Sequence, residues 1–506
     1  MKDLKEKTVR GGLARLAAQT ANFVLRLGSL TVLARLLGPK EFGLVGMVTA
    51  FTGVLDLFRG FGLSAAAIQR KTVTDEQIST LFWVNLLVGA LLGILAVAMA
   101  PAIAAFYHEP RLVAITMVLG AGFLFNAAGV QHGAILQREM RFTALAVINT
   151  TSLIAGIAIA MLGAIAGYGY WALVAMTVTS PVIATTGLWM TTRWVPKMPQ
   201  KGTGIRSMMR FGGILTLNGL LAYFAYNLDK VLVGRFWGAN ALGLYGRAYQ
   251  LVNIPTANLN SAVGEVAFSA LSRLQDDPCR LRSYFLKGYS LVLAMTIPVT
   301  VAFMLFAHDV IRVLLGPRWN GAADILRLLA PTILIFGIIN PIGWLMTSLG
   351  LVVRSLNLAL CFAPLITAGY VVGVPYGPKG VALGFSAVMV LCAIPLSAFC
   401  LRGTPVSLQD ILLTSARPLA SAIVAGVLAF GVRTAYGYLL SPLPRLALET
   451  SVLLAAFSVM LLFVAGQKSL YLDLLRSLMK RSSSVEEDVG FSLADGAPIR
   501  NERQTR

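Results

Sequence analysis

The chain has 506 residues, of which 57% are hydrophobic and 13% charged, and its formal net charge is +20. Soluble domains hold about 45–50% apolar and about 25% charged residues, so a mean hydropathy of +0.75 excludes a soluble enzyme. The basic excess does not indicate nucleic acid, because Lys and Arg gather in short loops between apolar runs long enough to span a bilayer.

The first such run, predicted at 11–36, follows the basic stretch "MKDLKEKTVRGG". It is too long and too polar for a signal-peptide core and ends in no small-residue cleavage site, so it is expected to be retained. Arg15, Gln19, Asn22, Arg26 and Ser29 are spaced 4, 3, 4 and 3 apart. At about 100° per residue they fall within about 40° of one line along a helix. Arg26 lies within roughly 4 Å of the middle of the span. A lipid-facing arginine there costs at least about 2.5–3.5 kcal/mol. Turning the whole stripe into a wet cavity avoids that cost, and so does an ion pair with Asp56 on the next span. Arg15 and Arg35, near the span ends, are placed to snorkel to headgroups.

Thirteen further spans are predicted at 42–67, 79–101, 112–133, 143–166, 169–190, 211–233, 241–268, 287–308, 324–347, 356–374, 379–400, 410–432 and 446–465. With the N-terminus inside, cytoplasmic segments hold about three times as many Lys and Arg residues as outside loops, which predicts both termini in the cytoplasm. The basic loop 191–210 lies where lipid headgroups would meet the protein.

In the seventh span Asn218 and Asp229 share a face, and Tyr226 stands where Arg26 stands in the first. Lys230 follows Asp229, so an end-of-helix ion pair is the competing reading of that acid. The eighth span carries Arg247, Gln250, Asn253, Asn258, Asn260 and Glu265 around Pro255, where a kink would free carbonyls beside a cavity. Arg327 is a further buried cation candidate, with Asp324 one turn away as a partner. Cys279 falls in a loop and Cys361, Cys392 and Cys400 in spans, where they read as small core residues. The tail from about 467 opens with a basic amphipathic stretch expected to lie on the inner membrane surface, then becomes too polar to pack from about Ser482.

The chain repeats itself at an offset of 200 residues. "ARLLGPKEFGLVG" (34–46) aligns without gaps on "GRFWGANALGLYG" (234–246), matching Arg35, Gly38, Gly43, Leu44 and Gly46 to Arg235, Gly238, Gly243, Leu244 and Gly246. Six spans separate the copies, so both share one orientation, a parallel repeat about an axis along the membrane normal. The expected architecture is all-α: a six-helix lobe at 1–200, a second at 201–405, two added helices within 406–466 and a cytoplasmic tail at 467–506. The cleft between the lobes would be lined by Gln19, Asn22, Arg26, Asn218, Tyr226 and Arg247. Its net positive charge suits an anionic substrate whose phosphates match arginine forks.

"LARLLGPKEFGLVGM", "LFRGFGLSAAAIQR" (57–70), "LQREMRF" (136–142), "NLDKVLVGRFWGANALGLYGRAYQL" (227–251) and "LLGPRWNGAADILRLLAP" (314–331) together resemble the bacterial polysaccharide exporters. These are Wzx-like flippases of the MOP superfamily, and the resemblance runs over roughly residues 10–405. It implies a V of two six-helix lobes and oligosaccharide units on undecaprenyl pyrophosphate as cargo. It further implies transfer across the inner membrane by ion-coupled alternating access, and polysaccharide polymerase and export machinery as partners. By the same resemblance Arg26 and Arg247 become contacts for pyrophosphate or acidic sugars, and Asp229 a candidate for proton coupling. The alternatives are a MATE-like exporter of organic cations, which would want acids in its cleft, and a lipid II-type flippase. A membrane enzyme is not expected: no long outside loop is predicted, and no GxxxxGK[ST], HExxH or GxSxG motif occurs, so neither cofactor nor metal is expected.

Overall fold

The computed structural model describes residues 2–59, 74–199, 206–437 and 439–468, and every regular element among them is helical. In chain order these are α1 (Lys2–Leu36), α2 (Pro39–Arg59), α3 (Asp75–Tyr107), α4 (Leu112–Arg138), α5 (Phe142–Ile165) and α6 (Tyr170–Thr192). There follow α7 (Arg206–Ser272), α8 (Pro278–Leu314), α9 (Gly321–Leu329), α10 (Pro331–Ser348), α11 (Val352–Gly373) and α12 (Gly377–Leu401). The last two are α13 (Leu408–Tyr436) and α14 (Pro442–Val459), the latter running into a π-turn at Met460–Val464. The amphipathic tail predicted from 467 lies almost wholly outside the described residues.

Ten segments among the described residues are long and apolar enough to cross a membrane. Neither α1 nor α7 is among them. The exposed faces of the other helices are apolar, with Leu87, Leu91 and Ile94 outermost on α3 and Ile423, Val427 and Leu428 on α13. Patches of this extent belong to a lipid-facing surface. Cys361, read from sequence as a core residue, is exposed.

Several predicted ends move outward. The span placed at 79–101 begins at Asp75, because Thr74 and Gln77 exchange side-chain-to-backbone hydrogen bonds of 3.3 and 3.2 Å in a capping box. It continues through Pro101 to Tyr107, closing on left-handed His108. The spans placed at 211–233 and 241–268 are two arms of one element. Its single break is at Gly238, whose φ of 78° suits a residue without a side chain. The backbone stays helical through Pro255, where a kink was expected. The predicted span 324–347 falls within one apolar segment, Gly321–Ser348, made of α9 and α10 meeting at Ala330–Pro331.

Helices α11 and α12 form a tight hairpin. "GYVVG" (369–373) and "GVALG" (380–384) each place glycines four apart. Gly369 faces the Gly384 backbone and Gly373 the Gly380 backbone, so closely that a methyl on any of the four would overlap a backbone carbonyl oxygen or another atom of the facing helix. Small residues at this spacing let membrane helices approach backbone to backbone. The terminal pair α13–α14 is held to α8 by a buried ionic cluster. Asp309 of α8 pairs with Arg433 of α13 at 3.3 Å and with Arg445 of α14, while Glu449 lies 3.9 Å from Arg433. At the other end of α13, Asp410 closes a capping box with Ser407 and accepts Arg282 Nε of α8 at 2.9 Å.

Candidate functional site

The site is built where the helices before residue 200 meet those after 206. Helix α2 lies along α7, and the contact is reciprocal. Gly43 packs on the Ala239 backbone, and Gly243 packs in the same way on Pro39; both pairs are related by the 200-residue repeat. The repeated arginines cross as well. Arg35 donates Nη2–H to the Val313 carbonyl at the end of α8 at 2.7 Å. Arg235 meets His108 Nδ1 at the end of α3 at 2.8 Å. Trp319 completes the joint, donating Nε1–H to the Ala34 carbonyl at 2.7 Å and standing edge-on to Phe42 at 5.4 Å.

Along α1, Asn22, Arg26, Leu30, Leu33 and Leu37 follow one another at three- and four-residue steps and share a face. Leu30, Leu33 and Leu37 are buried in the joint. Asn22 is half-buried, and Arg26 and Gln19 are exposed. Along this face burial gives way to exposure between Leu30 and Arg26. Arg26 makes no ion pair with any described residue, so the expected alternative of a lock with Asp56 is not formed. Asn22 Oδ1 is buried without a hydrogen-bond partner. Ser29, the last member of the predicted stripe, is turned inward and donates to the Arg26 carbonyl at 2.9 Å.

On α7 Arg247 is half-buried, its guanidinium 4.0 Å from the centroid of the Phe42 ring and hydrogen-bonded to Gln250. A long helical side chain leans toward the N-terminus of its own helix, which carries Arg247 back toward the joined end and away from Arg26. Its stacking across the two halves contributes about 0.5–2 kcal/mol. The Asn218 side chain lies outside the described residues. Tyr226 rests on Phe336 of α10 at a centroid distance of 6.4 Å, inside the second half.

Asp229 is wholly buried. Its Oδ2 accepts the Tyr245 hydroxyl at 2.8 Å and its Oδ1 the Lys230 backbone N–H at 2.8 Å. The Lys230 ammonium goes elsewhere, to Asn227 Oδ1 at 2.6 Å and over the Tyr249 ring at 4.8 Å. The expected side-chain pair between Asp229 and Lys230 is therefore absent. Arg327, expected to be buried, is exposed and donates to the Met304 carbonyl at 3.1 Å, while Asp324 binds Lys379 at 2.5 Å.

Sequence reading missed a polar group inside the first half. Asn85 of α3 and Gln131 of α4 are fully buried with no hydrogen-bond partner. Each lies one turn from the place where Gly89 meets Ala127. Beside them His132 Nδ1 meets Thr192 Oγ1 at 2.7 Å and its ring lies 4.4 Å from that of Trp189. One polar residue per helix forms no stripe, so no periodic signal marks them.

The comparisons with known proteins bear on this arrangement. The lipopolysaccharide biosynthesis protein WzxC of Escherichia coli (strain K12) is 27% identical over 401 residues, covering 77% of this chain and 80% of that protein. The teichuronic acid biosynthesis protein TuaB of Bacillus subtilis (strain 168) is 32% identical over 308 residues, covering 59% of this chain and 61% of its own length. In fold, the chain matches the lipid II flippase MurJ in an inward closed conformation with a TM-score of 0.73 at 13% identity, over 92% of this chain and 100% of that one. The family model described as polysaccharide biosynthesis protein matches residues 32–324, more than half of the chain. With the Wzx-like segments of its sequence lying on that span and beyond it, the chain belongs to the polysaccharide biosynthesis protein family.

Proposed function

We propose that the protein is a flippase that carries oligosaccharide units linked to undecaprenyl pyrophosphate across the bacterial inner membrane, for the assembly of a surface polysaccharide. In this reading it has fourteen spans: six-helix lobes at 1–200 and 201–405 and an added pair within 406–466, with both termini cytoplasmic. The joined ends then face the outside, and the cleft opens to the cytoplasm, where the lipid-linked unit is made. The observation that carries the reading is the α1 face, closed at Leu37 and open at Arg26, with an unpaired guanidinium in the opening. A planar cation at that depth suits a pyrophosphate better than an organic cation, which argues against a MATE-like drug exporter. WzxC, TuaB and the succinoglycan biosynthesis transport protein ExoT of Rhizobium meliloti (strain 1021) are named for three different polysaccharides. Because the polysaccharides differ, the group that Arg26 and Asn22 read in this proposal is the pyrophosphate rather than a particular sugar. Asp229, a buried carboxylate whose neighbouring Lys230 ammonium is engaged by Asn227, is the assigned proton carrier for ion-coupled alternating access.

Deleting the gene tests this. Undecaprenyl-linked oligosaccharide should accumulate in the cytoplasmic leaflet, and surface polysaccharide should be lost. Unchanged polysaccharide together with altered drug tolerance would reverse the reading in favour of a cation exporter.

A further inference from the structure

A second cationic site lies outside the cleft. At the joined end a cavity of about 560 Å³ is lined by Arg35 of α1, by Arg312 and Leu315 at the end of α8, by Arg318 of the following turn, and by Pro442 and Leu443 at the start of α14. Three arginines drawn from distant parts of the chain thus face one space. Among the described residues no acid pairs with any of them. The acids nearest in sequence to Arg312 and Arg318 are engaged elsewhere: Asp309 by Arg433 and Arg445, and Asp324 by Lys379. Arg35 donates one N–H to Val313 and retains the rest of its fork.

We propose that this cavity binds a phosphate-bearing headgroup and that its binding favours the joined arrangement of the two halves. Three guanidiniums without counter-charge supply the forked donors that phosphate oxygens match. The volume falls within the range of about 300–1,000 Å³ usual for small-molecule sites. The apolar rim of Pro442 and Leu443, with Leu443 itself exposed, gives an attached acyl or prenyl chain a place to lie. Arg35 belongs to the first half, and Arg312 and Arg318 to the second. An anion held by all three therefore joins the halves, and a ligand that prefers one state shifts the population toward it. That the site faces the outer leaflet rests on the orientation given under the proposed function; the binding itself does not.

The test uses the purified full-length chain in nanodiscs, with Arg312→Gln/Arg318→Gln as the paired variant, since both side chains are exposed and lack acidic partners. One arm titrates inorganic pyrophosphate and inorganic phosphate and follows thermal unfolding. A second compares phosphatidylglycerol and phosphatidylcholine discs by native mass spectrometry. A third follows thiol labelling of Leu37→Cys, a position buried in the joint. Stabilisation by pyrophosphate, or retention of phosphatidylglycerol, weakened tenfold or more in the variant, supports the site. The first result without the second identifies a free phosphate group as ligand, and the second without the first a lipid headgroup. Labelling at position 37 should slow several-fold with ligand in the parent and not in the paired variant. Equal binding by parent and variant in both arms overturns the site, and binding without slower labelling overturns the coupling. A failed gene-deletion test would leave these measurements unchanged, so the two ideas fail separately.

Discussion

Gly243 and Pro39 meet backbone to backbone, so closely that a methyl on Gly243 would overlap the Pro39 carbonyl. The repeat-related pair, Gly43 and Ala239, makes the same contact from the other side. One hydrogen atom in place of a side chain, twice, is what lets the α1–α2 turn and the Gly238 break dock on each other. This is a reciprocal contact within one chain, between residues related by the 200-residue repeat.

Substitution of either glycine should therefore hold this end apart. Overpacking a tight contact costs about 1–3 kcal/mol, which shifts a two-state equilibrium roughly 5- to 150-fold. Gly43→Val and Gly243→Val should each insert into the membrane at normal levels, speed labelling of Leu37→Cys, and lower polysaccharide export about tenfold or more. Because the contacts are reciprocal, the two variants should behave alike. Export at the parental rate by either would mean that the joint is not part of the transport cycle.

Arg26 gives the second prediction. A hydrogen bond to a charged group is worth about 1.5–3 kcal/mol, roughly ten- to a hundredfold in affinity. Arg26→Ala should abolish export. Arg26→Lys, which keeps the charge and loses the planar fork, should retain part of it. Surface polysaccharide measured in a complemented deletion strain decides the matter, and full export by the alanine variant would remove Arg26 from the site.

Much of this was legible in the chain. The spacing on α1 put Asn22 and Arg26 on one face, because helix geometry converts 3- and 4-residue spacing into a face. The repeat at 34–46 and 234–246 predicted matching turns, and those turns are what meet. What the spacing could not convey is where each side chain ends. Arg247 leans back onto Phe42 instead of facing Arg26, and Ser29 spends its hydroxyl on its own helix. Helical backbone runs on through Pro255 and Pro101, because membrane helices tolerate proline where neighbours or water satisfy the freed carbonyl. The Asn85–Gln131 pair was invisible, since its two members come from different helices and neither has a periodic companion.

Asp229 separates a structural role from a transporting one. Asp229→Asn keeps the volume and an acceptor for the Tyr245 hydroxyl, but a carboxamide takes up no proton. In proteoliposomes with an imposed proton gradient this variant should fall to background transport while its unfolding midpoint stays near that of the parent. Tyr245→Phe removes the donor to Oδ2 and leaves a buried carboxylate oxygen unsatisfied, at a cost of about 1–3 kcal/mol in stability. Gradient-driven transport by Asp229→Asn at the parental rate would exclude Asp229 as the carrier.

The cluster of Asp309, Glu449, Arg433 and Arg445 makes a prediction about stability. The two carboxylates are almost completely buried, and the two arginines are about three-quarters buried. Removing one partner from such a group leaves its counterpart charged and dry, typically at about 3–5 kcal/mol, whereas removing both charges of a pair together costs less. Arg445→Leu alone leaves Asp309 with Arg433 as its one described partner, and Asp309→Leu alone leaves Arg445 with no acid among the described residues and Arg433 with Glu449 only. Each single variant should lower the unfolding midpoint in detergent and loosen α13–α14 from α8, read as faster proteolysis between residues 437 and 442. The double variant Asp309→Leu/Arg445→Leu should recover part of the loss, because it removes both charges of one pair together. If the double variant were as unstable as the sum of the two singles, the cluster would be four independent charges and not a clamp.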